Sequence, residues 1–140
     1  MKRIIIIILA LSLVLLNLIS CDDSIDTQQA YDFQVSTLPV QSDIHRNETV
    51  EIRCKLQREG YWNDACYYLC YFQSEGRGEL RTDEGIVLLP NDNYPIEREE
   101  FRLYYTSRSE ELQQIDLYFS DNFGTMQTLS LRFNNNSDEE

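Results

Sequence analysis

Apolar and polar residues alternate with a period of two along much of this chain. The clearest stretch is TVEIRCKL, residues 49–56, in which every second side chain from Val50 to Leu56 is apolar. A β-strand with one face on a core and the other in water has this period, because successive side chains point to opposite faces. Further alternating stretches predict strands at residues 31–35, 101–106, 115–120 and 129–133.

Two more strands and two turns are predicted from less regular stretches. CYYLCYF, residues 66–72, is apolar on both faces, as a central strand is, and GIVLL, residues 85–89, is short and continuous. DNFG, residues 121–124, separates two strong strands and indicates a hairpin turn. GRG, residues 76–78, is typical of a β-turn, since glycine adopts positive φ at little cost.

Three places interrupt the alternation. Residues 97–100 and 107–114 are polar enough for helical turns, and Met126 is out of phase with Leu129, which predicts a bulge or a change of face between them. No segment has a convincing helical stripe. About seven short strands with intervening turns therefore predict an all-β, immunoglobulin-like β-sandwich, and a closed barrel is the competing architecture.

The first twenty residues have the layout of a secretory signal peptide. Lys2 and Arg3 are followed by an apolar stretch at 4–16, which is short for a membrane span of about 20 residues. Leu18-Ile19-Ser20-Cys21 resembles the bacterial lipobox, in which the cysteine thiol receives a diacylglycerol and becomes the new N-terminus after cleavage. We therefore predict a lipoprotein anchored through Cys21; plain secretion and a retained helix are the alternatives.

This gives a four-part layout for the chain. We predict a signal peptide at 1–20, a lipidated tether at 21–30, the sandwich domain at 31–134 and a disordered polar tail at 135–140.

The charge of the chain restricts its partners. Cleavage before Cys21 removes Lys2 and Arg3 and takes the formal charge from −12 to −14. Nucleic acid and anionic lipid surfaces are poor partners for so acidic a chain, because binding to phosphate needs clustered Lys and Arg. Asp22 and Asp23 resemble an inner-membrane retention signal in enteric bacteria and a surface-export signal in Bacteroides-type bacteria.

Once Cys21 carries lipid, Cys54, Cys66 and Cys70 remain. Cys66 and Cys70 are four residues apart in one predicted strand, about 13 Å, which is too far for a disulfide. Cys54 pairs with one of them across the core, or all three are small, buried or half-buried apolar side chains; we favour the second interpretation.

The chain lacks the familiar signatures of catalysis and metal binding. It has no Gly-x-Ser-x-Gly or His-Glu-x-x-His motif, and a single histidine, His45, makes a zinc site improbable. Asp92, Asn93 and Asp121 are more typical of turns than of a calcium site. Paired carboxylates for glycoside hydrolysis are compatible with the composition, but nothing marks out a pair. We therefore expect no enzyme, no cofactor and no metal.

Nine tyrosines are many for a small chain, and they divide into three groups. Tyr67, Tyr71 and Tyr105 are predicted in the core. Tyr61 and Trp62 lie in a polar loop after Gly60, where either they contact a partner protein or a sugar or Trp62 folds back to cap the end of the core; we favour the second interpretation and keep both residues as contact candidates. Tyr104 and Tyr118 occupy polar positions of their strands, where they form an exposed aromatic face or cross-strand pairs.

Four stretches are similar to a known family: TVEIRCKLQREG (49–60), YFQSEGRGEL (71–80), LLPNDNYPIEREEFRLYYTS (88–107) and DNFG (121–124). Together they resemble the TraQ-type lipoproteins encoded on Bacteroides conjugative transposons, over nearly all of the predicted domain. The resemblance implies an immunoglobulin-like sandwich, an association with DNA transfer between cells, and an outer-membrane or surface location. It implies no active site, so that only the lipidated Cys21 carries over. Cys66 and Cys70 stand where the family leads us to expect polar strand residues.

The expected function is therefore a membrane-anchored, non-catalytic interaction module of a conjugative transposon transfer apparatus. Its partners would be the membrane, through the lipid on Cys21, and a protein of the apparatus, with no nucleic acid. The alternative is a surface lipoprotein that binds glycans through loop aromatics such as Tyr61 and Trp62.

Overall fold

The computed structural model describes residues 1–7 and 30–135. Residues 2–7 are helical, whereas the rest of the predicted signal peptide, Cys21, the tether as far as residue 29 and the tail from residue 136 lie outside the described residues. Among the described residues, no helix has the length and apolar character to cross a membrane.

Residues 30–135 form an all-β domain of two antiparallel sheets. The strands are β1 (Phe33–Thr37), β2 (Thr49–Arg58), β3 (Tyr67–Glu75), β4 (Gly78–Thr82), β5 (Val87–Leu88), β6 (Tyr94–Ile96), β7 (Glu100–Ser107), β8 (Gln113–Asp121) and β9 (Met126–Phe133). One sheet has the order β1-β2-β7-β4-β5 and the other the order β6-β3-β8-β9. This matches the A-B-E-D and C-F-G sheets of an immunoglobulin-like sandwich, so the fold prediction is confirmed.

The predicted alternation places the core between the sheets. On β2 the odd-numbered residues face outward and Val50, Ile52, Cys54 and Leu56 are buried, as the pattern predicts. On β8, from Gln113 to Asp121, buried residues alternate with half-buried ones. The two sheets thus share one apolar core, and their outer faces are free to carry other chemistry.

The strand count and three local predictions differ from expectation. There are nine strands instead of about seven, because β4 and β6 are too short to show the alternation from which the strands were predicted. Residues 97–100 and 107–114 contain no helical turn; their ends belong to β7 and β8. No bulge separates Met126 from Leu129, since β9 pairs with β8 in unbroken register. Met126 faces outward, and Gln127 occupies the inward position.

Gln127 uses that position to join the two sheets at their neighbouring edges. Its Oε1 accepts a hydrogen bond from the Val35 backbone N–H at 2.6 Å, and its Nε2 donates to the Val35 carbonyl at 3.4 Å. The inward-pointing amide of Gln127 has hydrogen-bond partners because it takes the place of a neighbouring strand along the free edge of β1.

A polar network is buried at one end of the core. The Tyr105 hydroxyl donates to Gln113 Oε1 at 2.7 Å, and Gln113 Nε2 donates to Ser107 Oγ at 2.8 Å. The Tyr105 ring stacks on Phe133, with centroids 5.0 Å apart. Burial raises the pKa of the Tyr105 phenol to about 12. The network confirms Tyr105 as a core residue and holds its ring firmly in place.

Candidate partner-contact surface

The outer face of the five-stranded sheet is charged, and its charges are paired. Glu51 bridges Arg53 at 3.0 Å and Arg102 at 3.2 Å, and Lys55 lies 3.2 Å from Glu100. These three cations therefore each contact a carboxylate, with Arg53 and Arg102 sharing that of Glu51. Such exposed pairs contribute little to stability.

The outer face of the four-stranded sheet is different, because its central part carries no charge. Alternate residues of β3, β8 and β9 point outward here, and we call the following set the neutral face: Tyr68, Cys70, Phe72, Tyr118, Ser120, Met126 and Thr128. The register brings them side by side: Tyr118 stands between Cys70 and Thr128, and Ser120 between Tyr68 and Met126. Phe72 is 42% exposed and Met126 is 65% exposed.

Charged groups border the neutral face at one end. Asp116 Oδ1 accepts hydrogen bonds from Ser130 Oγ at 2.6 Å and from Gln114 Nε2 at 3.2 Å. The Ser130 hydrogen bond is the main reason that the pKa of Asp116 is lowered. Arg132 lies 3.7 Å from Glu75. An uncharged centre with a polar border is the composition of a protein interface.

The structure separates Tyr61 from Trp62. Tyr61 is 74% exposed, and the Arg58 guanidinium carbon lies 5.3 Å from its ring centroid. Trp62 is half-buried, and its Nε1 is buried without a hydrogen-bond partner within the described residues. The glycine before them is needed for close approach, since a Cβ on Gly60 would lie 2.2 Å from the Tyr31 ring. Of the predicted contact pair, Tyr61 is the residue available to a partner.

The remaining aromatic predictions fall on both sheets. Tyr67, Tyr71 and Tyr105 are buried, as predicted. Tyr104 and Tyr118 are both half-buried on outer faces, but Tyr104 lies on the charged sheet and Tyr118 on the neutral face. The neutral face itself was not foreseen as a unit. Its only sequence signal was the set of apolar residues at outward positions of strands 66–72 and 115–120.

Asp121, considered above as a calcium ligand, shapes the hairpin between β8 and β9 instead. Its Oδ1 accepts hydrogen bonds from the backbone N–H of Phe123 at 2.9 Å and of Thr125 at 2.8 Å. Gly124 completes the turn with a φ of 95°, so the predicted hairpin is present. Within residues 1–7 and 30–135, no three His, Cys, Asp or Glu side chains are grouped as metal ligands.

The three cysteines of the domain are free thiols. Cys54 is buried on the inner face of β2, Cys70 is half-buried on the outer face of β3, and Cys66 is exposed just before β3. The exposure of Cys66 departs from the expectation that all three are at least partly buried.

We expect Cys66 to react with iodoacetamide in the native domain while Cys54 is protected. Burial raises the pKa of the Cys54 thiol to about 12, so that the reactive thiolate is scarce and inaccessible. Burial also raises the pKa of Cys70, which should react more slowly than Cys66. Peptide mass mapping over time gives the order, and labelling in denaturant provides the control. Equal native rates for Cys54 and Cys66 would contradict this placement.

Three solved structures from Bacteroides share this fold and define a class of small β-sandwich proteins, two of which are described as lipoproteins. A conjugative transposon lipoprotein from Bacteroides eggerthii DSM 20697 is 43% identical, with a TM-score of 0.71, and the match covers 76% of this chain and 100% of that one. A lipoprotein from Bacteroides thetaiotaomicron is 48% identical, with a TM-score of 0.70, over 84% of this chain and 90% of that one. A conjugate transposon protein from Bacteroides vulgatus is 44% identical, with a TM-score of 0.68, over 84% and 96%.

The family follows from residues 4–136, which match the model of the TraQ conjugal transfer protein family. The chain belongs to that family, and the resemblance described from the sequence is confirmed. No curated protein matches the chain.

Proposed function

We propose that this chain is a lipid-anchored, non-catalytic docking module of a conjugal transfer apparatus, held at the outer membrane through Cys21. Membership of a conjugal transfer family supports the process, and two relatives described as lipoproteins support the anchor. The observation that carries the docking role is the neutral face, an exposed aromatic and apolar surface on a chain whose other sheet is covered with ion pairs.

The tether keeps the domain close to the bilayer. The eight residues between Cys21 and Ala30 reach at most about 30 Å when fully extended. β1 begins at Phe33, whose ring packs edge-on against Tyr67 at 5.0 Å between centroids. Tyr67 precedes Tyr68 of the neutral face, so the first strand begins at the end of the sandwich where the neutral face begins.

The mechanism is then concentration and orientation. Anchoring two proteins to one membrane raises their effective concentration to the millimolar range, so that a weak contact is occupied without a large interface. Tyr61, exposed in the loop that precedes β3, is a second contact in this scheme. The domain contributes shape and surface, and it transforms no substrate.

Deletion of residues 31–134 with the anchor left in place tests this function. We expect conjugal transfer from host cells that carry the element to fall about tenfold or more, which corresponds to losing about 1.4 kcal/mol or more of binding. The full chain supplied in trans should restore transfer. Unchanged transfer by cells that produce only the anchor would show that the domain has no docking role.

A further inference from the structure

Charge is distributed unevenly over the two outer faces of the sandwich. The chain carries 24 acidic and 12 basic residues, yet two successive rows of the neutral face, Tyr68-Ser120-Met126 and Cys70-Tyr118-Thr128, carry none. The next row places Phe72 beside Asp116, where the uncharged surface ends. Opposite it, β2 and β7 carry Glu51, Arg53, Lys55 and Arg102 at outward positions. On so acidic a chain, this uncharged patch is suited to a partner whose own contact surface is uncharged.

The chemistry of the neutral face is that of an interface centre. Tyr, Phe and Met are enriched where proteins meet, and charged residues are depleted there. Met126 and Phe72 expose apolar surface to water, and Tyr68 and Tyr118 lie half-buried beside them. Contiguous apolar patches of this kind on monomeric proteins often mark contact sites, whereas single exposed apolar residues do not.

The size of the neutral face argues against a stable dimer of this chain. Tyr68 and Phe72 are four residues apart on β3, about 13 Å, and the three strands span about 10 Å across. A footprint of a few hundred Å² is well below the roughly 800 Å² that each partner contributes to a stable interface. Two copies with a charge of −14 each also repel one another.

The neighbouring edge of the sheet is engaged within the chain at both ends. β9 is the edge strand beside the neutral face, and the Gln127 side chain is bonded to the Val35 backbone at one end. Just beyond the other end, the Asn134 N–H donates to the Ser42 carbonyl at 2.7 Å, and the Asn134 carbonyl accepts from the Ile44 N–H at 3.0 Å. The side chains of the sheet face are the surface offered to a partner.

We propose that the neutral face docks an uncharged, apolar surface of another envelope protein of the same transfer apparatus. This inference rests on the proposed function and names the surface that carries it out. The contact is small and transient in solution, and it becomes occupied because both proteins are held in one envelope.

Photocrosslinking in host cells tests the contact directly. p-Benzoylphenylalanine replaces Tyr118 on the neutral face or, as the matched control, Tyr104 on the charged sheet; both positions are half-buried tyrosines on outer faces. We expect a crosslinked product from position 118 and none from position 104. The product should disappear in cells that lack the other transfer genes of the element.

Other crosslinking results overturn the proposal. A product of twice the mass of the chain would identify a second copy as the occupant. A product that persists without the other transfer genes, or that carries polysaccharide, would place a different ligand on the neutral face. Equal products from both positions, or none from either, would show that the neutral face is not a distinct docking surface.

A pair of surface variants tests whether the contact matters for transfer. Met126→Asp places a charge on the neutral face, and Val87→Asp, 47% exposed on β5 of the other sheet, is the control. Because both side chains are exposed, both variants should fold and unfold at similar temperatures. We expect Met126→Asp to lower transfer about tenfold and Val87→Asp to leave it unchanged.

The two proposals fail in different ways. If deletion of residues 31–134 abolishes transfer while Met126→Asp transfers normally, the docking module stands and the neutral face is not its contact surface. If neither change affects transfer, the docking function itself is wrong.

Discussion

Alanine in place of Gly78 should lower the free energy of unfolding by about 2 to 4 kcal/mol, since overpacking and the loss of a buried hydrogen bond act together. A Cβ at this position would lie 2.2 Å from the hydroxyl oxygen and ring of Tyr105. Tyr105 cannot move aside easily, because it is fully buried, stacked on Phe133 and bonded to Gln113. Chemical denaturation followed by circular dichroism gives the change.

Two comparisons show whether this collision is the cause. Gly124→Ala meets no atom within 4 Å but keeps a φ of 95°, so it should cost only the backbone strain, about 1 to 2 kcal/mol. In a Tyr105→Leu background, Gly78→Ala should become markedly less destabilising, because the ring and hydroxyl are gone. A change of under 0.5 kcal/mol for Gly78→Ala alone would mean that β4 does not approach Tyr105 as described.

The sequence predicted the long strands well, and the reason is one-sided burial. From Val50 to Leu56 on β2 and from Ile115 to Phe119 on β8, each inward position is apolar and each outward position is polar or half-exposed, so the period of two is complete there. β4 and β6 were missed because five and three residues give too few repeats, and β6 contains Pro95. The bulge predicted at Met126 was wrong because Gln127, a polar residue, takes an inward position to bond with Val35.

The contact surface was harder to predict than the fold. Alternation shows that Tyr104 and Tyr118 both point away from the core, but it does not show which sheet each strand joins. β7 belongs to the five-stranded sheet and β8 to the four-stranded sheet. Two tyrosines with the same sequence pattern therefore differ in their neighbours: Tyr104 lies among ion pairs and Tyr118 lies on the neutral face. Tyr61 and Trp62 look equivalent in the sequence, and only their folded contacts distinguish the exposed ring from the half-buried one.

Loss of the lipid on Cys21 should release the protein from the membrane almost completely. Each buried methylene group of an acyl chain contributes about 0.8 kcal/mol, so two chains hold a protein firmly and none leaves it free. A secretory signal with an ordinary small-residue cleavage site, in place of residues 1–21, produces the domain without lipid. The acidic domain has no clustered basic charge to hold it to anionic lipid, so it should appear in the soluble fraction.

Two controls accompany this change. Cys21→Ser should abolish incorporation of labelled palmitate, whereas Cys66→Ser should leave incorporation unchanged. Thermal unfolding of the released domain should match that of the anchored protein, because residues 31–134 contain the whole described core. Palmitate retained in the Cys21→Ser protein would place the lipid on another residue.

Conjugal transfer by cells that produce the released domain, at the same abundance as the anchored protein, tests the tethered docking module most directly. The predicted result is a soluble, folded domain and a fall in transfer of about tenfold or more, since the contact surface is intact but no longer concentrated at the membrane. Full transfer with a wholly soluble domain would contradict it.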